Sequence, residues 1–549
     1  MHPIIATLLV QRGLSERSSV ESFFTPGLKR IEALPAMKDL AKATERVLKA
    51  LQNRERILVY GDYDVDGSCA TAMVHSFLRG RGAEVQAYNP DRYKEGYGIS
   101  KQGVSHAIEG GFGLVLALDC GIAAVDRISE LAAGGIDCIV CDHHLPGPVL
   151  PPAYAILNPK QRDCPLLGEE LCGCGVAFEL IRSVCGTLNL PKGEWMQFLP
   201  HVAVATCCDI VPLLGINRSL VSEGLKALNA DPPPAYAALL RCAAYSGTLS
   251  VADVVFKIGP RINAAGRLNH ARKAVSLLTA TSLDEAMPMA MELEQLNRER
   301  RSMDKHMSEE AVELMLQEDP HMNRAATVLS KEGWHKGLVG IAASRLMERC
   351  YRPTVVLTEL DGQLSGSARS VEDFNLYKAL QHCEEHLIQF GGHAAAAGMS
   401  LSKESFADFK AAFEQYCASQ LGEVECIPPL RIDLKVDFRE WANEQFGIFF
   451  KQMNRLRPFG PGNMQAVFAT EGCKARDVRV LGADGSHLKF EAYQEDHPAK
   501  GFSTIAFGFG QLAEALKEGN RFDLAYTIGT NYWNGESLLQ LEAKDIIVS

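Results

Sequence analysis

The sequence predicts an α/β protein: a parallel-sheet domain, a smaller mixed α/β domain joined to it by a long helix, and a C-terminal β-barrel or sandwich. Three observations predict this. From Arg56 onward, short apolar runs alternate with segments of helical periodicity, the mark of parallel strands joined by crossover helices. Residues 282–317 keep helical periodicity with no internal glycine. Beyond Pro428-Pro429 the pattern shortens to alternating strands separated by glycine turns.

Taken in order, residues 1–50 read as helices, with Leu8, Leu9 and Val10, then 20–24, then Leu40, Val47, Leu48 and Leu51 at helical spacing. Residues 57–60 form a short strand, 62–67 a loop and 68–79 an amphipathic helix. Strands follow at 83–88 and 114–118, a helix at 125–133 and a strand at 138–141. Parallel sheets bind ligands beyond the carboxyl ends of their strands, so the loops after these strands are the place to look for chemistry. The helix at 282–317, interrupted at most near Pro288, spans roughly 45–55 Å at 1.5 Å per residue and reads as a connector. A second mixed domain occupies 325–421, and short strands are expected at 467–469, 478–481, 488–492, 504–509, 522–528 and 537–541. The expected divisions are an N-terminal helical segment (1–50), the parallel-sheet domain (51–245), a basic motif with the connector helix (246–320), the smaller mixed domain (321–424) and the barrel (425–549).

The composition suits this plan. At about 150 residues per domain, 549 residues with 47% hydrophobic and 22% charged side chains give three or four ordinary globular cores and exclude a disordered, collagenous or disulfide-stapled chain. No run approaches the roughly 18 uncharged apolar residues of a membrane span, since 113–125 is broken by Asp119. The first residues lack the pattern of a signal peptide, and the reading is a cytoplasmic protein away from membranes. Sixteen cysteines are then expected as reduced, packing thiols. Cys138 and Cys141 match a C-x-x-C spacing, but residues three apart on a strand point to opposite faces. A net charge of −11 excludes a global cationic footprint for nucleic acid. One local exception runs from Asp253 to Lys273, where Lys257, Arg261, Arg267, Arg272 and Lys273 face a single acid; charge alone reads as a solvated face.

Four acidic clusters are expected at strand ends: Asp62, Asp64 and Asp66 in Tyr60-Gly61-Asp62-Tyr63-Asp64-Val65-Asp66-Gly67, then Asp119, then Asp142-His143-His144, then Asp209. Three carboxylates within five residues repel one another unless a cation neutralises them. The glutamate of a helix-flanked calcium loop is missing, and this loop starts from a strand. Singly, each fragment reads equally well as a helix cap or a surface pair. Converging at one sheet edge, carboxylates with neutral imidazoles make an oxygen-rich shell suited to Mn²⁺ or Mg²⁺, with two ions expected from the number of ligands. Two such ions are the apparatus of phosphodiester hydrolysis.

Asp64-x-Asp66-Gly67, Asp119, Asp142-His143-His144 and Asp209 resemble the motifs of the DHH phosphoesterases. The longer runs Gly259-Pro260-Arg261-Ile262-Asn263-Ala264-Ala265-Gly266-Arg267 and Arg457-Pro458-Phe459-Gly460-Pro461-Gly462-Asn463 resemble that family's single-stranded-DNA-specific exonucleases over nearly the whole chain. The resemblance implies a DHH domain, a DHH-associated domain, an OB-like barrel, and 5′→3′ digestion of single-stranded DNA to 5′-mononucleotides in recombination and repair. It implies Asp64, Asp66, Asp119, His143 and Asp209 as metal ligands, with Asp119 bridging. His144 would be a ligand or hold the scissile phosphate, Asp142 would orient a histidine, and Asp62 would be outer-shell or structural. Tyr60 stands where the family often carries a histidine, which would leave the first ion one nitrogen short.

Gly366-Ser367-Ala368-Arg369-Ser370 and Gly391-Gly392-His393 through Gly398 resemble the DHH-associated domain. Phosphate contacts are expected from Arg369, Ser370, Gly391, Gly392 and His393, and from Arg261, Asn263 and Arg267 in the basic run, without base selection. Trp334 is expected in the core, while Phe459, Tyr493, Phe507, Tyr532 and Trp533 cannot be sorted into stacking and packing residues. The partner implied is single-stranded DNA, with a helicase and a single-strand-binding protein as candidate protein partners. Two rivals remain at this stage. A DHH phosphodiesterase of short oligonucleotides or cyclic dinucleotides leaves the long C-terminal extension without a use. A non-catalytic replication scaffold of the same fold would have lost the ligands that are all present here.

Overall fold

Strand runs that are apolar at every position demand cover on both faces, and the first domain supplies it. In this computed structural model, residues 1–92, 94–267, 271–360, 362–422, 427–441, 446–533 and 536–549 are described, with backbone alone for 446–447, 530–533 and 536–538. Strands β1 (Ile57–Gly61), β2 (Val85–Tyr88), β3 (Leu114–Leu118), β4 (Asp137–Cys141) and β5 (Ala155–Leu157) form a wholly parallel sheet in the order β2-β1-β3-β4-β5. Ile57, Val59, Leu114, Leu116 and Leu118 pack on one face under helices Val65–Gly80 and Gly173–Thr187. Leu58, Tyr60, Val115 and Ala117 pack on the other, beneath Lys101–Glu109 and Val125–Ala133. The chain reverses direction across the sheet between β1 and β3, so their carboxyl ends open the crevice in which such sheets hold ligands.

The connector helix is one continuous element, Leu283–Glu318, with Pro288 in its second turn. Its first half (Ala286, Ala290, Leu293) belongs to the core of the first domain and its second half (Met307, Ala311, Met315) to the next. That second domain carries β6 (Thr327–Ser330), β7 (Thr354–Leu360), β8 (Gln363–Arg369), β9 (Gln389–Gly392) and β10 (Ala396–Ser402), ordered β6-β7-β8-β10-β9 and parallel only between β6 and β7.

The C-terminal sheet β11 (Leu434–Lys435), β12 (Phe468–Leu481), β13 (His487–Gln494), β14 (Phe502–Phe507), β15 (Phe522–Trp533) and β16 (Glu536–Val548) closes into a barrel through β12 and β15. Two of the expected short strands, 467–469 and 478–481, are one strand with a bulge between Arg476 and Arg479. The expected N-terminal helical segment is not one unit. Ile5, Leu8, Leu9 and Phe23 pack into the barrel's core, whereas Ile31, Leu40 and Val47 pack on the parallel-sheet domain.

A buried arginine joins these parts. Arg218, on helix Gly215–Ala230, donates from Nε to Phe23 O (2.8 Å), from Nη1 to Leu456 O (3.0 Å) and Pro458 O (3.3 Å), and from Nη2 to Arg455 O (3.1 Å) and Arg457 O (2.7 Å). The Arg457–Asn463 run is this joint: Asn463 bonds Leu456 O and Pro458 O, and Leu213 N donates to Pro461 O. A Cβ on Gly460 would lie 2.5 Å from the Leu213 side chain, so any larger residue would make that leucine shift where the two domains meet.

Candidate metal centre

A polar residue immediately follows each of the five parallel strands, at the carboxyl edge of the sheet: Asp62, Asn89, Asp119, Asp142 and Asn158. The acidic turn is tighter than the loop expected over 62–67. Helix Val65–Gly80 begins inside it, and Asp64 caps that helix by accepting from Gly67 N (3.0 Å). A Cβ on Gly67 would sit 2.6–2.7 Å from the Asp62 backbone, which is why the motif needs glycine there. Asn89 fastens the turn through Gly61 O (3.0 Å) and Asp62 O (2.8 Å). Asp119 holds a left-handed backbone (φ +57°), a conformation that costs about 1–3 kcal/mol outside glycine and is kept where the surroundings over-determine it. Gly173 packs against it, and a Cβ there would come 2.6 Å from the Asp119 Cβ.

Asp209 corrects one expectation. It follows the helix Leu199–Cys208 rather than a strand. A short run that is apolar all round carries no period by which to tell a buried strand from a buried helix. A carboxylate at a helix C-terminus faces the negative end of the dipole, and a cation makes that placement tolerable. Asp66 has the opposite setting: it accepts from Gly173 N (2.6 Å) and Cys174 N (2.8 Å) at the start of helix Gly173–Thr187.

These groups converge from four stretches of chain. His143 Nε2 lies 3.3 Å from Asp119 Oδ1, 3.5 Å from Asp209 Oδ2 and 3.9 Å from Asp66 Oδ2. Potential ligand atoms fall within 4.8 Å of one another in three sets: Asp62, Asp64 and Asp119; Asp66, His143 and Asp209; and Asp119, His143 and His144. Asp62 Oδ1, Asp119 Oδ1, both His143 ring nitrogens and Asp209 Oδ2 are buried without hydrogen-bond partners. Burial, then repulsion from Asp66 and Asp64, pushes Asp209 up to about 9. Burial also raises Asp62, then the Asp64 charge; Asp64 and Asp119 are raised by burial and then by Asp66. Burial lowers His143 against the pull of Asp66, favouring the neutral imidazole that ligates metals. Orphaned, mutually repelling, oxygen-rich donors fit divalent cations, which replace the protons these groups would otherwise retain.

Asp142 is set apart. Its Oδ1 accepts from His143 N (2.7 Å), His144 N (3.1 Å) and His144 Nδ1 (2.7 Å), and its Oδ2 from Ile122 N (2.9 Å). Burial would raise it, but the His144 bond and charge and the backbone donors outweigh burial and hold it low. Burial likewise works against His144, and Asp142 raises it on balance. Asn158 fixes the turn through His144 O (2.9 Å). Tyr60 is not available to an ion: its ring stacks on Tyr88, and its hydroxyl donates to Gly98 O (2.9 Å) and accepts from Ser100 N (3.0 Å).

The basic run is largely spent within the protein. Arg261 is buried against Glu294 (2.7 Å), Lys273 pairs with Glu292 (2.5 Å) and Lys257 with Asp253. Arg261 therefore ties its helix, Gly259–Arg267, to the connector rather than reaching a phosphate, because the connector passes beside it with two glutamates. Asn263 is half-buried on the same helix, and Arg267 donates to Gly337 O (3.1 Å) across the first and second domains. Gly266 abuts the acidic turn, where a Cβ would lie 2.4 Å from Tyr63 O.

In the second domain, Ser367 and Arg369 share one face of β8. A Cβ on Gly340 would approach Arg369 Nη2 to 2.9 Å and Ser367 Oγ to 3.3 Å. Ser370 differs from expectation: its buried hydroxyl donates to Phe374 O (3.0 Å), closing its own loop instead of facing an anion. Gly391, Gly392 and His393 are exposed, and only Gly392 is sterically required, at φ +145° with a would-be Cβ 2.4 Å from Ala396 O. Burial lowers Arg369, and the positive charge of Arg92 from the first domain adds to this. Sequence reasoning passed over Arg92, Tyr97, Asn89, Asn158 and Ser367; for the two asparagines, the place just after a strand was the available signal. Trp334 is buried, with Nε1 on Glu310 (2.8 Å). Phe507 is exposed and Phe459 and Tyr493 are half-buried beneath Arg457 and Arg476, while the side chains of Tyr532 and Trp533 lie outside those described.

Comparison with known proteins gives a consistent assignment. Residues 56–206 match the DHH family N-terminal domain, 323–419 the DHHA1 domain and 432–545 the RecJ OB domain. The chain is 36% identical to the single-stranded-DNA-specific exonuclease RecJ of Bacillus subtilis, over 100% of this chain and 68% of that protein. It is 35% identical to that of Dickeya dadantii, over 98% and 95%. The crystal structure of RecJ from Thermus thermophilus in complex with Mn²⁺ superposes with a TM-score of 0.84 at 31% identity, covering 99% of this chain and 76% of that one.

Proposed function

This chain belongs to the RecJ family of single-stranded-DNA-specific exonucleases, within the DHH phosphoesterases, and on that premise we propose that it removes 5′-mononucleotides from single-stranded DNA in the 5′→3′ direction during recombination and repair. It is a metal-dependent phosphodiester hydrolase that uses Mn²⁺ or Mg²⁺. The observation that carries the reading is the convergence of Asp62, Asp64, Asp66, Asp119, His143 and Asp209 on one crevice with buried donor atoms left unpartnered.

Asp62, Asp64 and Asp119 would hold one ion and Asp66, His143 and Asp209 a second, with Asp119 near enough to His143 to serve both. When bound, such ions polarise the phosphoryl oxygens and make a bound water acidic enough to attack near neutral pH. The chain's own residues do the rest. Asp142 accepts from His144 Nδ1 and favours the protonated ring, whose Nε2–H can then donate to a phosphate oxygen in the cleft. Asp66 is held rigid by two backbone donors. Arg92 from one domain and Arg369 from the other bracket a phosphate of the strand, with Ser367 beside Arg369 and the Gly391-Gly392-His393 edge adding donors. The barrel then tracks the strand without reading bases, so binding weakens steeply with salt. A helicase and a single-strand-binding protein are the partners that would deliver such a strand, in the cytoplasm. Among the described residues no helix is long and apolar enough to cross a membrane.

The test is digestion of 5′- and 3′-labelled single strands and duplexes with and without Mn²⁺. Release of labelled mononucleotide from the 5′ end of the single strand alone, and only with metal, is expected. Equal attack on duplex, or release from the 3′ end, overturns the reading.

A further inference from the structure

Tyr97 is a large aromatic side chain beside the proposed catalytic groups, and it leaves 57% of its surface to solvent. Its ring meets His144 edge to face (centroids 5.8 Å, 72°) and Tyr63 likewise (6.5 Å, 81°), and its hydroxyl lies 3.1 Å from His144 Nε2. An exposed tyrosine on a mobile tip would mean little, but this loop is built. Glu95 accepts from Tyr88 Oη (2.8 Å), Ser100 Oγ (2.6 Å) and Asp91 N (2.8 Å). The Tyr60 hydroxyl clamps Gly98 and Ser100, and Asn89 ties the start of the loop to the acidic turn. Gly96 (φ +86°) and Gly98 (φ +80°) turn the chain on either side of Tyr97 and so present its ring outward. Several buried bonds thus hold one apolar surface at the rim of a site otherwise made of charges.

We propose that Tyr97 is a stacking platform for a nucleobase at the 5′ end of the strand, a positioning residue that seats the scissile phosphate against His144 and the metal ligands. The proposal rests on the nuclease reading above. Every base has a flat face, so a platform of this kind accepts any sequence, and it accepts only a base unstacked from a duplex. It would therefore supply part of the preference for single strands at the chemical site itself, apart from the barrel.

The test is a cycle between protein and substrate, run on the full chain with Mn²⁺: wild type, Tyr97→Phe and Tyr97→Leu, each on a 5′-phosphorylated single strand and on the same strand with abasic residues at its first two positions. On the intact strand, Tyr97→Leu is expected to raise KM on the order of ten- to a hundredfold, whereas Tyr97→Phe, which keeps the ring and loses the hydroxyl, keeps the wild-type KM. On the abasic strand the wild type loses the same factor, and Tyr97→Leu loses nothing further. The proposal is overturned if Tyr97→Leu is impaired equally on both strands, or if Tyr97→Phe falls with it. Failure of the wild type to digest either strand would instead overturn the nuclease reading.

Discussion

The acidic crevice and the joint around Arg218 both bury charge, and they treat it in opposite ways. At the joint a single guanidinium donates to five backbone carbonyls and lies over the Phe23 ring at 3.8 Å. Burial still lowers it to about 10, yet its donors are placed. In the crevice, carboxylates crowd one another, Asp119 sits in a strained backbone and four of the converging residues carry orphaned atoms. A charge buried for architecture is satisfied by the protein; a charge buried for chemistry is left for something outside it. The two sites therefore respond differently to mutation and to solvent.

The sharpest break of this contrast is Asp119→Asn. It is expected to reduce nucleotide release on the order of 10³-fold or more, roughly 4 kcal/mol of barrier, while leaving the metal-free protein no less stable; turnover and thermal melting in chelator check both halves. Arg218→Met should do the reverse. It orphans five carbonyls and loosens the barrel from the catalytic domain, lowering stability by about 3–5 kcal/mol in chemical denaturation, with metal affinity preserved. If Arg218→Met melts like the wild type, the joint is not what holds the domains together.

Titration sharpens the comparison. The carboxyls of Asp62, Asp64, Asp119 and Asp209 are raised, so the folded chain keeps protons that the unfolded chain releases. Without metal, stability should fall as pH climbs from the ordinary 3.8 toward the value of about 9 reached by Asp209. Saturating Mn²⁺ should flatten or invert that slope, because the cation takes the protons' place; melting curves across pH with chelator or Mn²⁺ would show it. The smallest effect concerns Ile210, next to Asp209, at φ +62° with 68% of its surface exposed. Ile210→Gly should relieve left-handed strain at little cost in burial and stabilise the protein by about 1 kcal/mol, read as a small rise in melting temperature.

The DHH motifs were legible because their chemistry is local: three aspartates in five residues and a histidine pair after a strand cannot be neutral background. The strand ends placed three of the four clusters correctly, since strand, turn and helix alternate within a few residues. Asp209 was misplaced on a strand because its helix is apolar on every side. Arg261 and Ser370 looked like phosphate contacts because a free arginine and an arginine bound to Glu294 read identically in sequence, as does a serine whose hydroxyl closes its own loop. The Arg457–Asn463 run carries the family resemblance and in the structure is a joint between domains.

The order of strands and helices, the acidic clusters and their fit to divalent cations follow from the sequence, because period, turn chemistry and charge repulsion act over a few residues. The three-dimensional structure alone decided which side chains are already partnered and which remain open, how residues 1–24 join a barrel more than 400 residues away, and where Tyr97 faces. Those outcomes depend on contacts between distant segments, and a hydrogen bond or a buried face exists only once the chain that supplies the other half has folded against it.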